Sequence, residues 1–191
     1  MSSASFASRM AVSVSMPNLG TDAEQSVKVG FLAPLTGDVS SWGLPGYNGC
    51  QIWASWINEA GGILINGRRH KLEIIPYDCG YDGERAVAGA RKLVLEDNVK
   101  LLMMLGGDTF LPIQDFVTSR RILTSTLLPS DLSPDTPYLI APCEVHPIYN
   151  VTGVDWLAEN RPELKTVAMC AQRDALGLPS MGMSRSLLKK N

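Results

Sequence analysis

A chain of 191 residues with a formal charge of −2 holds enough apolar material for one sizeable domain, or one domain and part of another. The near-neutral balance leaves no basic footprint for nucleic acid, and no apolar run reaches the roughly 20 residues that a membrane span needs. The four cysteines, Cys50, Cys79, Cys143 and Cys170, form no CxxC pair, so no metal site is expected.

Residues 1–26 stand apart, rich in Ser and Ala. Their apolar part, 10–16, is broken by Ser13 and Ser15, whereas a secretory signal needs a longer apolar core behind a positive start. The stretch reads as a disordered leader or a poor signal. Residues 27–33 then form a short apolar run of β-formers, a buried strand, which Pro34 and Gly37 stop. Cys50, Trp53, Ile57 and Ala60 recur at helical spacing, so 42–60 is a helix, ended by Gly61 and Gly62. In an open α/β sheet ligands gather outside the carboxyl ends of the strands. A helix start there presents free N–H groups to a carboxylate or carbonyl oxygen. The loop 34–42 is therefore the first binding-site candidate, although the same pattern fits any βα turn.

Asn66 and Gly67 form a two-residue hairpin turn leading into a strand at 71–77. A helix at 81–96 follows, with Val87, Ala90 and Val94 on its inner face and Gly89 allowing close packing. Residues 99–105 are another buried run of parallel-strand type. After Gly106, either Asp108 or Thr109 caps a helix with apolar positions Phe110, Ile113 and Val117. Arg120 and Arg121 close it, where cations suit the dipole. A strand at 122–128, a loop with Pro129, Pro134 and Pro137, and a short strand at 138–142 come next. Pro147 opens a helix to about residue 160. A buried strand at 165–170 and a helix at 183–190 end the chain. Cys50 and Cys170 sit in apolar patterns and read as core fillers. The alternation of strand and helix predicts an α/β fold with a doubly wound parallel sheet. Val29, Leu32, Leu101 and Met103 are its expected interior, and the loops 34–42 and 106–109 are expected side by side as one wall of a groove.

The ordered set Lys28-Val29-Gly30-Phe31-Leu32-Ala33-Pro34-Leu35-Thr36-Gly37, Trp42-Gly43 and Ile57-Asn58-Glu59-Ala60-Gly61-Gly62 carries a family likeness. It continues through Leu72-Glu73-Ile74, Tyr77-Asp78, Ala86-Val87-Ala88 and Lys92-Leu93-Val94. Over about 27–183 the chain resembles the first lobe of the type I periplasmic solute-binding proteins, receptors of branched-chain amino-acid, amide and urea ABC transporters. The resemblance implies two lobes with the ligand in the cleft between them. On it, 1–26 is the leader, 27–142 the first ligand-binding lobe, and 143–191 the crossover and truncated start of a second lobe, as in a fragment.

The resemblance also implies site residues. Trp42 corresponds to an aromatic that packs on the ligand, the other reading being a core tryptophan. Gly107, Asp108 and Thr109 stand where many amino-acid binders hold the ligand carboxylate with small hydroxyl residues. Asp108 departs from that pattern. Its charge repels a carboxylate unless it turns away as a helix cap, which leaves room for an amide, urea or a cationic group. Thr126 lies near the third binding loop. Cys79 matches a position often disulfide-bonded, but the usual partner is absent.

Cys143 and His146 are a possible Cys/His nucleophile pair, yet His146 directly before Pro147 reads as a helix entry. The glycines match neither GxGxxG nor a P-loop, so no nucleotide or other cofactor is expected. The leading expectation is a non-enzymatic receptor subunit that closes on a small polar ligand and hands it to an ABC membrane permease. It would be periplasmic, with no membrane insertion of its own and no nucleic-acid partner. A cytoplasmic sensor of the same fold is the alternative, and a hydrolase built on Cys143 and His146 the third reading.

Overall fold

The structure, a computed structural model, describes residues 26–106, 109–126, 132, 134–142, 146–174 and 176–189. Its centre is a six-stranded sheet in the order β2-β3-β1-β4-β5-β6. The strands are β1 (Ser26–Ala33), β2 (Ile63–Ile65), β3 (Arg68–Asp78), β4 (Leu101–Met104), β5 (Leu123–Ser125) and β6 (Leu139–Ile140). All pairings are parallel except β2 with β3. That pair is the expected hairpin: Asn66 and Gly67 have φ of 49° and 78°, the left-handed values of its tight turn.

The sheet is doubly wound. Helix α1 (Ser40–Glu59) covers one face, and α2 (Gly83–Arg91) and α3 (Gln114–Ser119) cover the other. Neighbouring residues of β1 show the division, since successive side chains of a strand point to opposite faces. The Phe31 ring meets Tyr47 of α1 at 5.6 Å between centroids. Leu32 lies under α2, so close that a Cβ on Gly89 would fall 2.6 Å from its Cδ1. This second face holds the main core: Leu32, Ala86, Ala90, Leu93, Leu102, Met104, Phe110, Ile113 and Val117 are all buried.

Helix α2 starts at its N-cap Asp82, whose carboxylate accepts from the Arg85 N–H at 2.8 Å. The expected continuation to residue 96 is a π-helical turn, Lys92–Glu96. Phe110, Ile113 and Val117 are buried as a row, through a 3-10 turn at Leu111–Ile113 and then α3.

Several expectations are corrected. Val29 and Leu32 are interior, but in β4 Leu102 and Met104 are buried while Leu101 and Met103 are half-buried. The register puts Leu102 and Met104 on the α2 face and leaves Leu101 and Met103 beneath α1, the thinner cover. In α1 the row through Trp53 and Ala60 is exposed; Gly43 and Ala54 are the buried positions. Cys50 is half-buried beside Met103, but Cys170 is exposed and fills no core.

The expected strand at 165–170 is not one. Residues 164–172 have no ladder partner among the described residues, and Val167 is exposed. An extended run becomes a strand only where another strand lies beside it to take its backbone groups. The stretch instead links α4 (His146–Asn160) to α5 (Gly177–Leu188), which pack on each other. Helix α5 begins earlier than expected because Asp174 accepts from the N–H groups of Leu176 and Gly177, at 3.1 and 2.7 Å.

Candidate ligand site at the carboxyl edge of the sheet

Strand order reverses between β1 and β4, so the chain leaves β1 toward one side of the sheet and β4 toward the other. The loops after these strands meet at that point. Leu105 N–H donates to the Leu32 carbonyl at 3.1 Å, and Cys79 N–H to the Ala33 carbonyl at 3.0 Å. Three loops, following β1, β3 and β4, therefore stand in a row along the carboxyl edge. Helices α1 and α3 depart to opposite faces, the arrangement of a topological switch point, where open α/β sheets form their ligand crevices; Trp42 and Thr109 lie on its two sides.

Asp78, the last residue of β3, fastens the first two loops together. Its Oδ1 accepts from the N–H groups of Leu35 at 2.8 Å, Thr36 at 3.3 Å and Gly80 at 2.9 Å. Its Oδ2 accepts from the Thr36 hydroxyl and meets Arg85 at 3.2 Å. Burial pushes this carboxyl up, but the Thr36 hydroxyl and the three backbone donors outweigh it and hold it down to about 2. A carboxylate so fully engaged positions the β1–α1 loop and has little capacity left for a ligand. Sequence reasoning missed this role. The signal available was Tyr77-Asp78 at a strand end, together with Thr36 in the loop.

Trp42 lies in the first turn of α1 and is 74% exposed, so it is not a core residue. The turn sits directly on the preceding loop: a Cβ on Gly43 would lie 1.9 Å from the Pro34 carbonyl oxygen. Across the crevice, Thr109 is fully buried and its hydroxyl donates to the Gly106 carbonyl at 3.1 Å. It does not cap the following 3-10 turn, which has no side-chain cap. Thr126 follows β5, is buried, and its N–H donates to the Ile140 carbonyl at 2.9 Å. Gly107 and Asp108 lie outside the described residues, as does Cys143; of His146 the backbone alone is described, at the start of α4. The fold thus brings Thr109 and Thr126 to one edge and Trp42 to the opposite lip.

A second polar cluster closes this edge. The Tyr81 hydroxyl donates to Asp174 Oδ2 at 2.6 Å, and the Tyr81 ring stands against Gly106. Burial raises the Asp174 carboxyl, but the Tyr81 hydroxyl and the Gly177 and Leu176 N–H groups bring it below the usual carboxylate range. Neither Tyr81 nor Asp174 was singled out from the sequence. A contact between positions this far apart leaves no local pattern.

Among the described residues no cluster of His, Cys, Asp and Glu is placed to hold a metal ion. No described helix is long and apolar enough to cross a membrane. A trough of about 810 Å³ between α4, α5 and the segment joining them is lined by Leu157, Leu164, Val167 and Leu188 and rimmed by Arg161 and Arg185.

The sequence profile of the periplasmic binding proteins matches residues 26–191. The Leu/Ile/Val-binding protein BraC3 of Rhizobium johnstonii is 31% identical over 114 residues, which cover 59% of this chain and 29% of that protein. Leucine-binding protein LivK of Thermotoga maritima superposes with a TM-score of 0.72 at 15% identity, covering 86% of this chain and 46% of that one. A solute-binding protein of an ABC transporter from Rhodopseudomonas palustris BisB5, solved with 3,4-dihydroxybenzoic acid, gives 0.69 at 22% identity, with coverage of 87% and 45%. The chain therefore spans less than half the length of these relatives. With its profile match running from β1 through α5, it belongs to the periplasmic binding protein family, and its fold is that of the type I members.

Proposed function

We propose that the chain forms one wall of the ligand cleft of an ABC-importer receptor for a small polar solute, and that it binds without catalysing a reaction. The observation that carries this reading is the meeting of three strand-end loops at the switch point between β1 and β4. Trp42 supplies an exposed ring on one lip. From the family likeness alone we assign a ligand-binding role to Gly107, Asp108, Thr109 and Thr126, whose loops would offer N–H donors to carbonyl or carboxyl oxygens. BraC3 is named for leucine, isoleucine and valine. Asp108 in place of a small hydroxyl residue shifts the preference here toward an amide, urea or a group bearing positive charge. Closure by hinge motion against a facing lobe, delivery to a membrane permease and a periplasmic location complete the proposal.

A thermal-shift and calorimetric panel of branched-chain amino acids, their amides, urea and hydroxybenzoates tests it, run on a version as long as the relatives. One class should bind, and Trp42→Ala should weaken that binding by about 1–3 kcal/mol if the ring stacks on the ligand. The 191-residue chain alone should bind weakly, because one wall of a cleft buries half a ligand. Unchanged affinity in Trp42→Ala removes the ring from the site, and tight binding by the short chain removes the two-wall reading.

A further inference from the structure

Tyr81 stands in the left-handed backbone region, with φ of 63°, directly after Gly80 at 56°. Glycine takes such a conformation at least cost, and a tyrosine persists there only where its surroundings hold it. This side chain is held at both ends. Its ring stands against Gly106, at the start of the loop after β4. A Cβ built on Gly106 would lie 3.3 Å from Tyr81 Cε2 and 3.0 Å from the Thr109 hydroxyl oxygen. The Gly106 carbonyl in turn accepts from that hydroxyl at 3.1 Å. At the far end, the Tyr81 hydroxyl donates to Asp174 Oδ2 at 2.6 Å. Asp174 is 6% exposed, and its Oδ1 accepts from the N–H groups that start α5.

We propose that Tyr81 is a positioning residue of the candidate ligand edge. Its ring seats Gly106, and its bond to Asp174 makes that seat depend on where α5 stands. The functional weight of this coupling rests on the reading of the loop after β4 as part of the ligand wall. The hydroxyl lies at the end of the ring axis, so fixing it fixes χ1 and therefore where the ring sits. Asp174 is a firm anchor, because letting go of Tyr81 strips a buried carboxylate of one of its donors. The coupling is reciprocal: whatever orders the loop favours the bond, and whatever docks α5 favours the seated loop.

Amide hydrogen exchange of the 191-residue chain, read residue by residue by NMR with no ligand added, tests this. Tyr81→Phe keeps the ring and removes the hydroxyl. It should speed exchange at Leu105 and Gly106, and at Leu178 in the first turn of α5, by about fivefold or more. Asp174→Ala acts on the other end of the bond and should speed Leu105 and Gly106 to a similar extent. The double variant should add less than about twofold to either, since each substitution removes the same bond. Gly62 and Ile122, whose N–H groups bond to the Ile57 and Val117 carbonyls at the amino edge of the sheet, report global opening and serve as the reference. Faster exchange at Leu178 with Leu105 and Gly106 unchanged overturns the proposal, because the bond then fastens α5 alone. So does a double variant whose loop effect is the product of the two single effects. Should Asp174→Ala open the whole chain, the ratio of Gly106 to Ile122 in Tyr81→Phe decides. No ligand takes part, so a failed binding panel leaves the coupling standing, and an absent coupling leaves the ligand reading standing.

Discussion

The two faces of the sheet are held by different physics. On the α2 face, Leu32, Leu93, Leu102, Phe110 and Ile113 interlock without exposed surface, and the glycine and alanines of α2 bring the helix close. On the α1 face a longer helix buries little but Gly43 and Ala54. Polar bonds near its two ends fix it instead. Asp78 gathers the loop that leads into it. Asn58, near its C-terminus, bonds both ways with Leu72: its amide donates to the carbonyl at 2.9 Å, and its carbonyl oxygen accepts the N–H at 2.8 Å. One face is a packed core. The other is a helix laid over the buried Val29 and Phe31 and tied down at its ends, with its outer flank exposed.

The sharpest way to break this contrast is to remove apolar volume from each side. Leu102→Ala should cost about 3 kcal/mol in chemical denaturation, since it opens a cavity under α2 and α3. Leu44→Ala on α1 should stay within about 0.5 kcal/mol, as exposed substitutions do. Equal losses would mean that both faces are packed cores. The next test cuts a tie. Asn58→Ala leaves both backbone groups of Leu72 without their partner in a half-buried setting and should cost about 2 kcal/mol, with α1 amides exchanging faster than those of α2. A loss spread evenly over both helices would deny the tie its local role.

The smallest expected effect concerns pH. Asp78 has its folded-state pKa depressed to about 2 from an ordinary 3.8. A depressed carboxyl contributes stability that is fully present above the unfolded pKa and is lost as pH falls through the folded one. Its contribution therefore fades between about pH 4 and about pH 2, by about 1 kcal/mol once solvent screening at the partly open side chain is discounted. Asp78→Asn should flatten that limb of the stability profile and leave the slope above pH 5 unchanged. An acid limb of the same steepness in the variant would assign it to other carboxyls.

The same contrast explains what was legible in the sequence. The strands and the packed face announce themselves: apolar runs at 27–33 and 99–105, the row Phe110, Ile113 and Val117, and the Asn66-Gly67 turn each state a local preference that the fold keeps. The tied face does not. Val29 and Phe31 are buried beneath it, but the helix itself buries only Gly43 and Ala54, which carry almost no hydrophobic signal, while its loudest apolar residues, Trp53 and Trp56, are exposed. Residues 165–170 show the opposite failure, because composition reports that a segment would suit a strand and says nothing about whether a neighbour lies beside it. At the carboxyl edge, Trp42, Thr109 and Thr126 are candidates that the family likeness supplies, and their binding role is a proposal. The roles of Asp78 and Asp174 were not legible, since they arise from partners distant in the chain.

The bond from Tyr81 to Asp174 spans 93 positions. Joining the ends of a free loop of that length costs roughly 4 kcal/mol in chain entropy. One hydrogen bond to a carboxylate returns about 1.5–3 kcal/mol, so it cannot pull the ends together by itself. It can form only after the sheet has already shortened the path between them. During synthesis the ribosome releases β1 through β6 before it releases Asp174. The contact is thus a late event in assembly, one that fastens α5 to a sheet already built.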